Sequence, residues 1–280
     1  MNGLCVALRR LDNELVRRNL AKSRTAAQEM IHAKRVKVSG AVAHKAATQV
    51  DTAAPIVIIA EPGGGEYASR GAYKLIGALD ALGDRVPHIR GRNCLDAGAS
   101  TGGFTDVLLR RGAAHVIAVD VGYGQLAWNL QTDSRVQIMD RTNIRYLKKE
   151  DIAVPIDLVV GDLSFISLEL IIPALVDVAP EADFLLMVKP QFEVGKGRLG
   201  SGGVVRDPAD RIWAVVKIAH FAQNLGMDVW AIEASPLPGP AGNVEYFVCF
   251  SPQGRHEPIV DIEAAARRAV EMGPQGIDNG

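Results

Sequence analysis

Cysteine is scarce in this 280-residue sequence. There are three cysteines, Cys5, Cys94 and Cys249, and none belongs to a C-x-x-C pair. An odd number of widely spaced cysteines argues against a disulfide framework and a zinc site, so we expect no bound metal and a reducing compartment. The first residues become charged too early for a signal peptide, and no apolar run approaches the ~18 residues of a membrane span. The sequence therefore predicts a cytoplasmic protein without a membrane anchor.

Two common nucleotide-binding motifs are also missing. In CLDAGASTGGF, which covers residues 94–104, Gly98 and Gly102 lie four positions apart, unlike the G-x-G-x-x-G spacing of dinucleotide-binding folds. The Gly-Lys-Ser/Thr of a phosphate-binding P-loop does not follow either. These departures argue against a nicotinamide-dependent oxidoreductase.

Acidic residues are rare in the first fifty positions, although the whole chain has a net charge of −1. Residues 1–50 hold ten Lys/Arg against three Asp/Glu, so this segment carries +7 and the remainder −8. A basic head on an acidic body indicates a polyanion-binding module joined to another domain; the alternative is a charged, solvated helical domain. The candidate RNA-contacting side chains are Arg9, Arg10, Arg17, Arg18, Lys22, Arg24 and Lys37.

The sequence pattern predicts a small domain before a larger one. Apolar residues at helical spacing in RRLDNELVRRNL and TAAQEMIHAK predict two helices, the second capped by Ser23. Short apolar runs around a Ser39-Gly40 turn and in PIVII predict a small sheet. We expect an α+β domain over residues 1–60, followed by a glycine-rich linker over residues 61–68.

Strand-like and helix-like segments alternate after the linker. The predicted strands are Asn93–Asp96, His115–Asp120, Arg135–Met139, Ile156–Gly161, Asp183–Lys189, Asp228–Glu233 and Val244–Phe250. The predicted helices between and before them include Ala72–Leu82, Gly103–Arg111, Leu168–Val178 and Ala209–Leu225. This alternation indicates an α/β fold with a seven-stranded, doubly wound, Rossmann-like sheet over residues 69–252. A C-terminal tail over residues 253–280 contains a predicted short helix, Ile262–Glu271.

Polar residues stand where the first three strands end. The glycines after Asp96 let the backbone turn sharply and approach a ligand beside a helix N-terminus. Asp120 is placed to hydrogen-bond ribose hydroxyls, and Asp140 can accept from an adenine amino group. Because parallel strands end at one edge of a sheet, the sequence predicts a ligand pocket there. The candidate cofactor-binding residues are Asp96, Gly98, Ser100, Gly102, Gly103, Phe104, Asp120 and Asp140.

Four further polar residues lie in or beside apolar segments. Lys74 is on the helix before the first strand, and Asp162 and Lys189 end the fourth and fifth strands. Glu245 is predicted inside the last strand. A Lys or Glu in such a place costs free energy unless it is paired. Taken singly, each is better explained as an ion-paired or snorkelling structural residue.

Together these motifs resemble a known family. SRGAYKL, DAGASTGGFTDVLL, GDLSFISL, VKPQFEVGK and GNVEYF, in this order, are similar to the haemolysin-named TlyA family of rRNA methyltransferases. That family belongs to the FtsJ-like group of ribose 2′-O-methyltransferases. The segment RLDNELVRRNLAKSRTAAQEMI resembles the RNA-binding domain of ribosomal small-subunit protein S-four. The resemblance covers about residues 9–250.

The resemblance implies S-adenosylmethionine as the cofactor and a Lys–Asp–Lys–Glu catalytic tetrad, carried here by Lys74, Asp162, Lys189 and Glu245. Lys189 would align a ribose 2′-hydroxyl and accept or electrostatically stabilise its proton, and Asp162 would orient Lys189. The implied substrates are ribosomal RNA cytidines of the 30S subunit, in 16S rRNA. The basic N-terminal segment favours members that also modify 23S rRNA in the 50S subunit. In such members the modification promotes sensitivity to cyclic peptide antibiotics.

One segment departs from the family pattern. Gly65-Glu66-Tyr67-Ala68 stands where members often have Arg-x-Trp-Val, so a rigid, aromatic-anchored coupling of the two domains does not follow from the resemblance. Two other functions are open at this point. A pore-forming haemolysin would leave the glycine loop and the tetrad unexplained. A non-catalytic RNA-binding ribosome-assembly factor would keep the basic domain but has no need for charged residues in apolar strands.

Overall fold

A computed structural model describes residues 8–18, 20–21, 23–32, 34–58 and 67–274. The chain divides into two compact units, Met1–Glu66 and Tyr67–Gly280. Cys5, Lys22 and most of the predicted linker lie outside the described residues.

The N-terminal unit combines two helices with short antiparallel strands. Its elements are β1 (Leu8–Arg10), α1 (Leu11–Arg17), α2 (Arg24–His32), β2 (Val36–Val38), β3 (Ala41–Val42), β4 (Gln49–Asp51) and β5 (Ile56–Ile58). Strand β2 pairs with β3 and β5, and β1 pairs with β4. The predicted α+β arrangement of this unit is therefore confirmed.

Local sequence explains where these elements begin and turn. The Ala26 N–H donates to Ser23 Oγ at 3.1 Å, so the predicted cap satisfies one of the free N–H groups that begin α2. Ser39 and Gly40 adopt φ values of 49° and 87°, which the tight turn between β2 and β3 requires. Leu11, Leu15 and Ile31 are buried in a small shared core, which holds α1 and α2 together.

The C-terminal unit is built on a seven-stranded sheet. Its strands are β6 (Asn93–Ala97), β7 (His115–Val119), β8 (Val136–Met139), β9 (Leu158–Gly161), β10 (Asp183–Val188), β11 (Met227–Ala234) and β12 (Tyr246–Pro252). Its helices are α3 (Ala72–Leu82), α4 (Gly103–Arg110), α5 (Trp128–Gln131), α6 (Ile172–Val178), α7 (Pro190–Glu193), α8 (Pro208–Asn224) and α9 (Ile262–Met272). The strand order is β11-β12-β10-β9-β6-β7-β8.

Helices cover both faces of this sheet. In β6, Leu95 and Ala97 lie in one core and Cys94 lies in the other, because successive strand residues point to opposite faces. Apolar residues of α6, α8 and α9 join the first core, and those of α3 and α4 join the second. The sheet is therefore doubly wound, as predicted from the alternation of strands and helices.

The sheet register brings several chain segments to one edge. Strands β10, β9, β6, β7 and β8 are parallel, whereas β12 runs antiparallel between β10 and β11. Val188 at the end of β10 is paired with Tyr246 at the start of β12. Lys189 and Glu245 therefore extend from neighbouring strands at the edge where the parallel strands end. Ala97 and Gly161 are paired in the same way, which places Gly98 next to Asp162.

Most predicted boundaries differ from the structure by one or two residues, and two differences concern residues at or near the strand ends that carry the predicted site. Glu245 lies just before β12 rather than inside the last strand, because the chain is still leaving a turn closed by a Gly239 N–H bond to Asn243 O and the ladder with β10 begins at Tyr246. The single helix predicted over Leu168–Val178 is a short 3-10 turn, Leu168–Leu170, followed by α6. Pro173 stands in the first turn of α6, where its missing N–H costs little.

Candidate active site

A sharp turn between β6 and α4 forms the floor of the site. Gly98, Ser100 and Gly102 all have positive φ values, of 85°, 48° and 95°. A Cβ on Gly98 would lie 3.0 Å from the Asp162 carbonyl oxygen, and one on Gly102 would lie 2.3 Å from Leu130 Cδ1. The glycines are therefore needed both for the backbone conformation and for the close approach of neighbouring chain.

The predicted acids after β7 and β8 bind backbone N–H groups. Asp120 accepts from Ser100 N at 2.8 Å and from Gly122 N at 2.7 Å, so it joins the glycine turn to the loop after β7. Asp140 accepts from Gly124 N at 2.8 Å. Asp120 lines a cavity of about 470 Å³ together with Gly98, Ser100, Asn143, Asp162 and Phe165. Asp140 and Gly102 are not part of that lining.

A second cavity, of about 310 Å³, adjoins the first at Gly98, Ser100 and Asp162. Its walls include Lys74, Asp96, Gly103, Phe104, Asp162, Ser164, Lys189 and Pro238. Gly103 has no room for a side chain, because a Cβ would lie 2.8 Å from Ala72 N at the start of α3. The structure thus brings Lys74, Asp162 and Lys189 together with most of the predicted cofactor residues.

Asp96 is the most deeply buried acid in this wall. Thr105 Oγ1 donates to its Oδ2 at 2.7 Å, whereas Oδ1 has no partner among the described residues. Burial raises the pKa of Asp96 to about 7, with Asp162 and Asp120 adding to the rise. An acceptor atom left without a partner inside the protein is costly, so Oδ1 is suited to a donor brought by a ligand.

Three residues of the smaller cavity, Lys74, Asp162 and Lys189, form a cluster of charged side chains with Glu245, which lies behind Lys74 outside the cavity lining. Lys74 Nζ lies 2.6 Å from Glu245 Oε2 and 3.6 Å from Asp162 Oδ2. Lys189 Nζ lies 2.6 Å from Asp162 Oδ1, in an ion pair that lacks the angles of a directed hydrogen bond. Lys74 comes from α3, and the other three residues come from the ends of β9, β10 and β12. These four side chains form the Lys–Asp–Lys–Glu cluster.

The charges of this cluster balance within the protein. The side chains of Glu245 and Lys189 are only 2% and 8% exposed. Taking an isolated charge so far out of water is very unfavourable, and only a close opposite charge with hydrogen bonds compensates. Gly239 makes room for this arrangement, since a Cβ there would lie 2.8 Å from Glu245 Oε1.

Two residues of the site were missed from the sequence. Ser164 Oγ accepts from Lys189 Nζ at 2.7 Å, so Lys189 is held by Ser164 as well as by Asp162. Phe165 is 90% exposed at φ 65°, a conformation unusual for a bulky side chain, and its ring centroid is 5.2 Å from that of Phe192. The only sequence signal was their position in GDLSFISL, directly after a catalytic candidate.

Glu193 joins the two loops that carry Asp162 and Lys189. This buried acid of α7 accepts from Ser167 Oγ at 2.6 Å, from Leu168 N at 2.8 Å and from Lys217 Nζ at 3.0 Å. Ser167 and Leu168 end the loop after β9, whereas Glu193 follows Lys189 by four positions. The carboxylate therefore fixes the loop of Asp162 against the loop of Lys189. Sequence alone gave no reason to single out Glu193.

The basic residues predicted in the N-terminal unit are in part engaged by acids. Arg10 and Arg24 hydrogen-bond to Asp12, and Arg17 and Arg18 to Glu14. Arg9 is exposed and Lys37 is half-buried. Whether these side chains bind RNA stays a prediction, and Lys22 is outside the described residues.

The described residues hold neither a membrane-spanning helix nor a cluster of metal ligands. None of their helices is long and apolar enough to cross a bilayer. No group of three or more His, Cys, Asp or Glu among them is arranged to hold a metal ion.

Both units match known domain families. Residues 67–251 match the FtsJ-like methyltransferase family, and residues 9–55 match the S4 domain. The sheet, the glycine turn and the Lys–Asp–Lys–Glu cluster thus belong to a methyltransferase that carries an S4 domain. This finding does not favour the alternatives of a non-catalytic assembly factor or an oxidoreductase.

Similarity to individual proteins shows which group of FtsJ-like methyltransferases the chain belongs to. The chain is 52% identical to the 16S/23S rRNA (cytidine-2′-O)-methyltransferase TlyA of Mycobacterium tuberculosis, covering 95% of this chain and 98% of that protein. The 23S rRNA (cytidine-2′-O)-methyltransferase TlyA of Campylobacter jejuni is 36% identical, covering 65% and 69%. A solved structure of a hemolysin-named protein from Streptococcus thermophilus matches with a TM-score of 0.73 at 31% identity, covering 95% and 97%. The chain belongs to the TlyA family of FtsJ-like methyltransferases.

Proposed function

We propose that the protein transfers a methyl group from S-adenosylmethionine to the ribose 2′-oxygen of cytidines in ribosomal RNA. The observation that carries this proposal is the Lys–Asp–Lys–Glu cluster, three members of which line a cavity beside the glycine turn. The names of the relatives from M. tuberculosis and C. jejuni support cytidine as the target, and the former supports both 16S and 23S rRNA. This chain would act in the cytoplasm on 30S and 50S subunits.

The residues around the two cavities fit the proposed cofactor. The turn brings the backbone of Gly98 to the wall that both cavities share, and Asp96 Oδ1 offers a buried acceptor for a donor such as an ammonium group. Asp120 lines the larger cavity, where a carboxylate can accept from ribose hydroxyls. When bound, S-adenosylmethionine supplies a methyl group that is already activated by its sulfonium.

Lys189 would prepare the 2′-hydroxyl for attack. A hydroxyl is a weak nucleophile until its proton is moved. Asp162 and Ser164 hold Lys189 Nζ at the cavity wall, where it aligns the oxygen and accepts or electrostatically stabilises its proton. Lys74 and Glu245 compensate each other's charge, and Lys74 also approaches the second oxygen of Asp162, Oδ2. Much of the rate would come from holding the two substrates in line.

Both units would contribute to holding RNA. The exposed ring of Phe165, in the wall of the larger cavity, offers a face on which a base drawn out of an RNA stack can lie. The arginines of the N-terminal unit would contact phosphates, which position the RNA without reading its sequence. Shape and accessibility would then govern the choice of cytidine.

Methyl transfer to purified 30S and 50S subunits tests the proposal. Wild type and Lys189→Ala are incubated with labelled S-adenosylmethionine, and the product nucleoside is identified by nuclease digestion and mass spectrometry. We expect 2′-O-methylcytidine with wild type only. Calorimetry with S-adenosylmethionine serves as the control and should give similar affinity for both proteins. Loss of cofactor binding in Lys189→Ala would contradict the role given to Lys189, and no cofactor binding by wild type would overturn the proposed function.

A further inference from the structure

A fully buried acid lies beneath two arginines of the N-terminal unit. Asp12 has no exposed surface and accepts two hydrogen bonds from Arg10, from Nε to Oδ1 at 3.0 Å and from Nη2 to Oδ2 at 2.8 Å. Arg24 Nε donates to the same Oδ2 at 2.9 Å, and Gln28 Nε2 donates to it at 3.1 Å. Two guanidinium groups therefore meet at one carboxylate oxygen.

The carboxylate stays charged in this position. The hydrogen bond from Arg10 is the main cause that holds the pKa of Asp12 well below its usual range, and it outweighs the opposing effect of desolvation. Because the Asp12 carboxylate is negatively charged at neutral pH, it offsets the repulsion between the guanidinium groups of Arg10 and Arg24. Arg10 and Arg24 are thereby kept side by side.

Both arginines still reach solvent. Their side chains are 37% and 56% exposed, whereas that of Asp12 is not exposed at all. Among the contacts of the described residues, Arg10 uses Nε and Nη2, and Arg24 uses Nε. Arg10 Nη1 and the two Nη groups of Arg24 can therefore donate to an oxygen of a ligand.

Arg18 shows the opposite arrangement. Its Nε donates to Glu14 at 2.7 Å, its Nη1 to Ala54 O at 2.7 Å and its Nη2 to Thr52 O at 2.7 Å. All three nitrogens are directed into the unit, where they tie α1 to the turn between β4 and β5. Arg18 is therefore a structural residue, and the basic character of a residue in this unit does not by itself assign it to RNA.

We propose that Asp12 is a positioning residue for RNA binding, which fixes Arg10 and Arg24 as a site for one backbone phosphate. This inference rests on the proposed RNA-binding function of the unit. Guanidinium groups match phosphate oxygens in pairs of parallel hydrogen bonds. Holding both side chains in place before binding removes part of the entropy cost that flexible arginines incur.

The sign of one mutational effect separates this proposal from simple charge attraction. Asp12→Asn removes a negative charge from a basic surface, so charge alone predicts tighter binding to RNA. Loss of the shared anchor predicts weaker binding, because Arg10 and Arg24 repel each other and become disordered. Glu29→Gln is the matched control, since Glu29 is an exposed acid on α2.

The experiment measures the affinity of the full-length protein for purified 30S subunits over a series of KCl concentrations. We expect Asp12→Asn to weaken binding roughly tenfold, consistent with disordering two long side chains. The slope of log affinity against log salt should become shallower by roughly 0.7–0.9, as loss of one phosphate contact requires. Glu29→Gln should bind as wild type or slightly more tightly. Equal or tighter binding by Asp12→Asn would overturn the proposal.

A second pair of variants leaves the buried acid in place. Arg10→Lys keeps the charge but loses the two-point contact with Asp12. Arg9→Lys changes an exposed neighbour whose side chain makes no hydrogen bond or ion pair with the described residues. We expect weaker binding for Arg10→Lys than for Arg9→Lys. Equal affinities would overturn the proposal even if Asp12→Asn failed to fold. Methyl transfer that persists in these variants would leave the proposed function standing. If wild type showed no salt-dependent binding, the phosphate site and the RNA-binding role of the unit on which it rests would both be overturned.

Discussion

The two units use the same charged groups in opposite ways. In the N-terminal unit the acids Asp12 and Glu14 are buried, and three of the arginines that pair with them, Arg10, Arg17 and Arg24, extend toward solvent. In the methyltransferase unit the cations are buried as well, and Lys189 and Lys74 face a cavity between acids. The first arrangement presents positive charge to a large polyanion. The second withdraws the charge into a site where a single oxygen can be aligned.

The difference in burial also sets what each ion pair costs to break. An exposed pair is solvated and contributes little to stability, typically ~0–1 kcal/mol. A buried pair that loses one partner leaves an uncompensated charge, at a cost of roughly 3–5 kcal/mol. Breaking a buried pair in the methyltransferase unit should therefore mainly lower stability, whereas changing an exposed arginine in the N-terminal unit should mainly weaken RNA binding.

The largest effect is expected at Glu245. Glu245→Gln keeps the shape of the side chain but removes the anion 2.6 Å from Lys74 Nζ, leaving Asp162 as partner for both lysines. We expect the free energy of unfolding of the methyltransferase unit to fall by about 3 kcal/mol, with loss of methyl transfer. Urea denaturation measures it. The control Glu233→Gln, at the half-exposed pair with Arg85, should change the free energy of unfolding by less than ~1 kcal/mol. Equal losses in the two variants would contradict the difference proposed between buried and exposed ion pairs.

The pKa of Asp96 is shifted upward, whereas that of Asp12 is shifted downward. Burial raises the pKa of Asp96 from 3.8 to about 7, so the folded chain holds the proton more tightly than the unfolded chain. Stability from this group is therefore present at pH 4 and lost as the pH rises toward 7. We expect Asp96→Asn to be more stable than wild type at pH 8, with the advantage disappearing near pH 4. Thermal unfolding at both pH values measures it, and a pH-independent difference would contradict the buried-acid account.

Glu193 should affect the rate rather than binding of the cofactor. Glu193→Gln weakens the link between the loops that carry Asp162 and Lys189, because a neutral amide accepts more weakly from Ser167, Leu168 and Lys217. We expect kcat for methyl transfer to fall roughly tenfold, consistent with a small displacement of aligned groups. The Kd for S-adenosylmethionine from calorimetry should stay within about twofold of wild type. An unchanged kcat would show that the two loops are held without Glu193.

The smallest effect should come from Arg18. Arg18→Gln loses the bonds to Thr52 and Ala54, so the N-terminal unit should be destabilised by about 1–2 kcal/mol. Affinity for 30S subunits, measured below the unfolding temperature, should fall less than for Arg24→Gln, although both remove one positive charge. The reverse order would place Arg18 at the RNA surface and contradict the distinction between inward and outward arginines.

The sequence pattern by itself determined the order of strands and helices along the chain, whereas the four members of the Lys–Asp–Lys–Glu cluster were named from the resemblance to the TlyA family. Apolar periodicity is local, and the rule that parallel strands end at one edge of a sheet predicted a pocket at the glycine turn, Asp120 and Asp140. The turn at Gly98 could also be predicted from the sequence, because the freedom of glycine to adopt a positive φ is a property of the residue itself.

Only the tertiary structure decided which charged groups are partners. The bonds from Lys189 to Ser164, from Ser167 to Glu193 and from Arg18 to Thr52 join residues 25, 26 and 34 positions apart. No sequence period links such positions, because their contact depends on how loops from different strands meet and on which groups are left without water. The same dependence makes Asp12 a buried anchor and Glu29 an exposed acid, although both lie in one short basic segment.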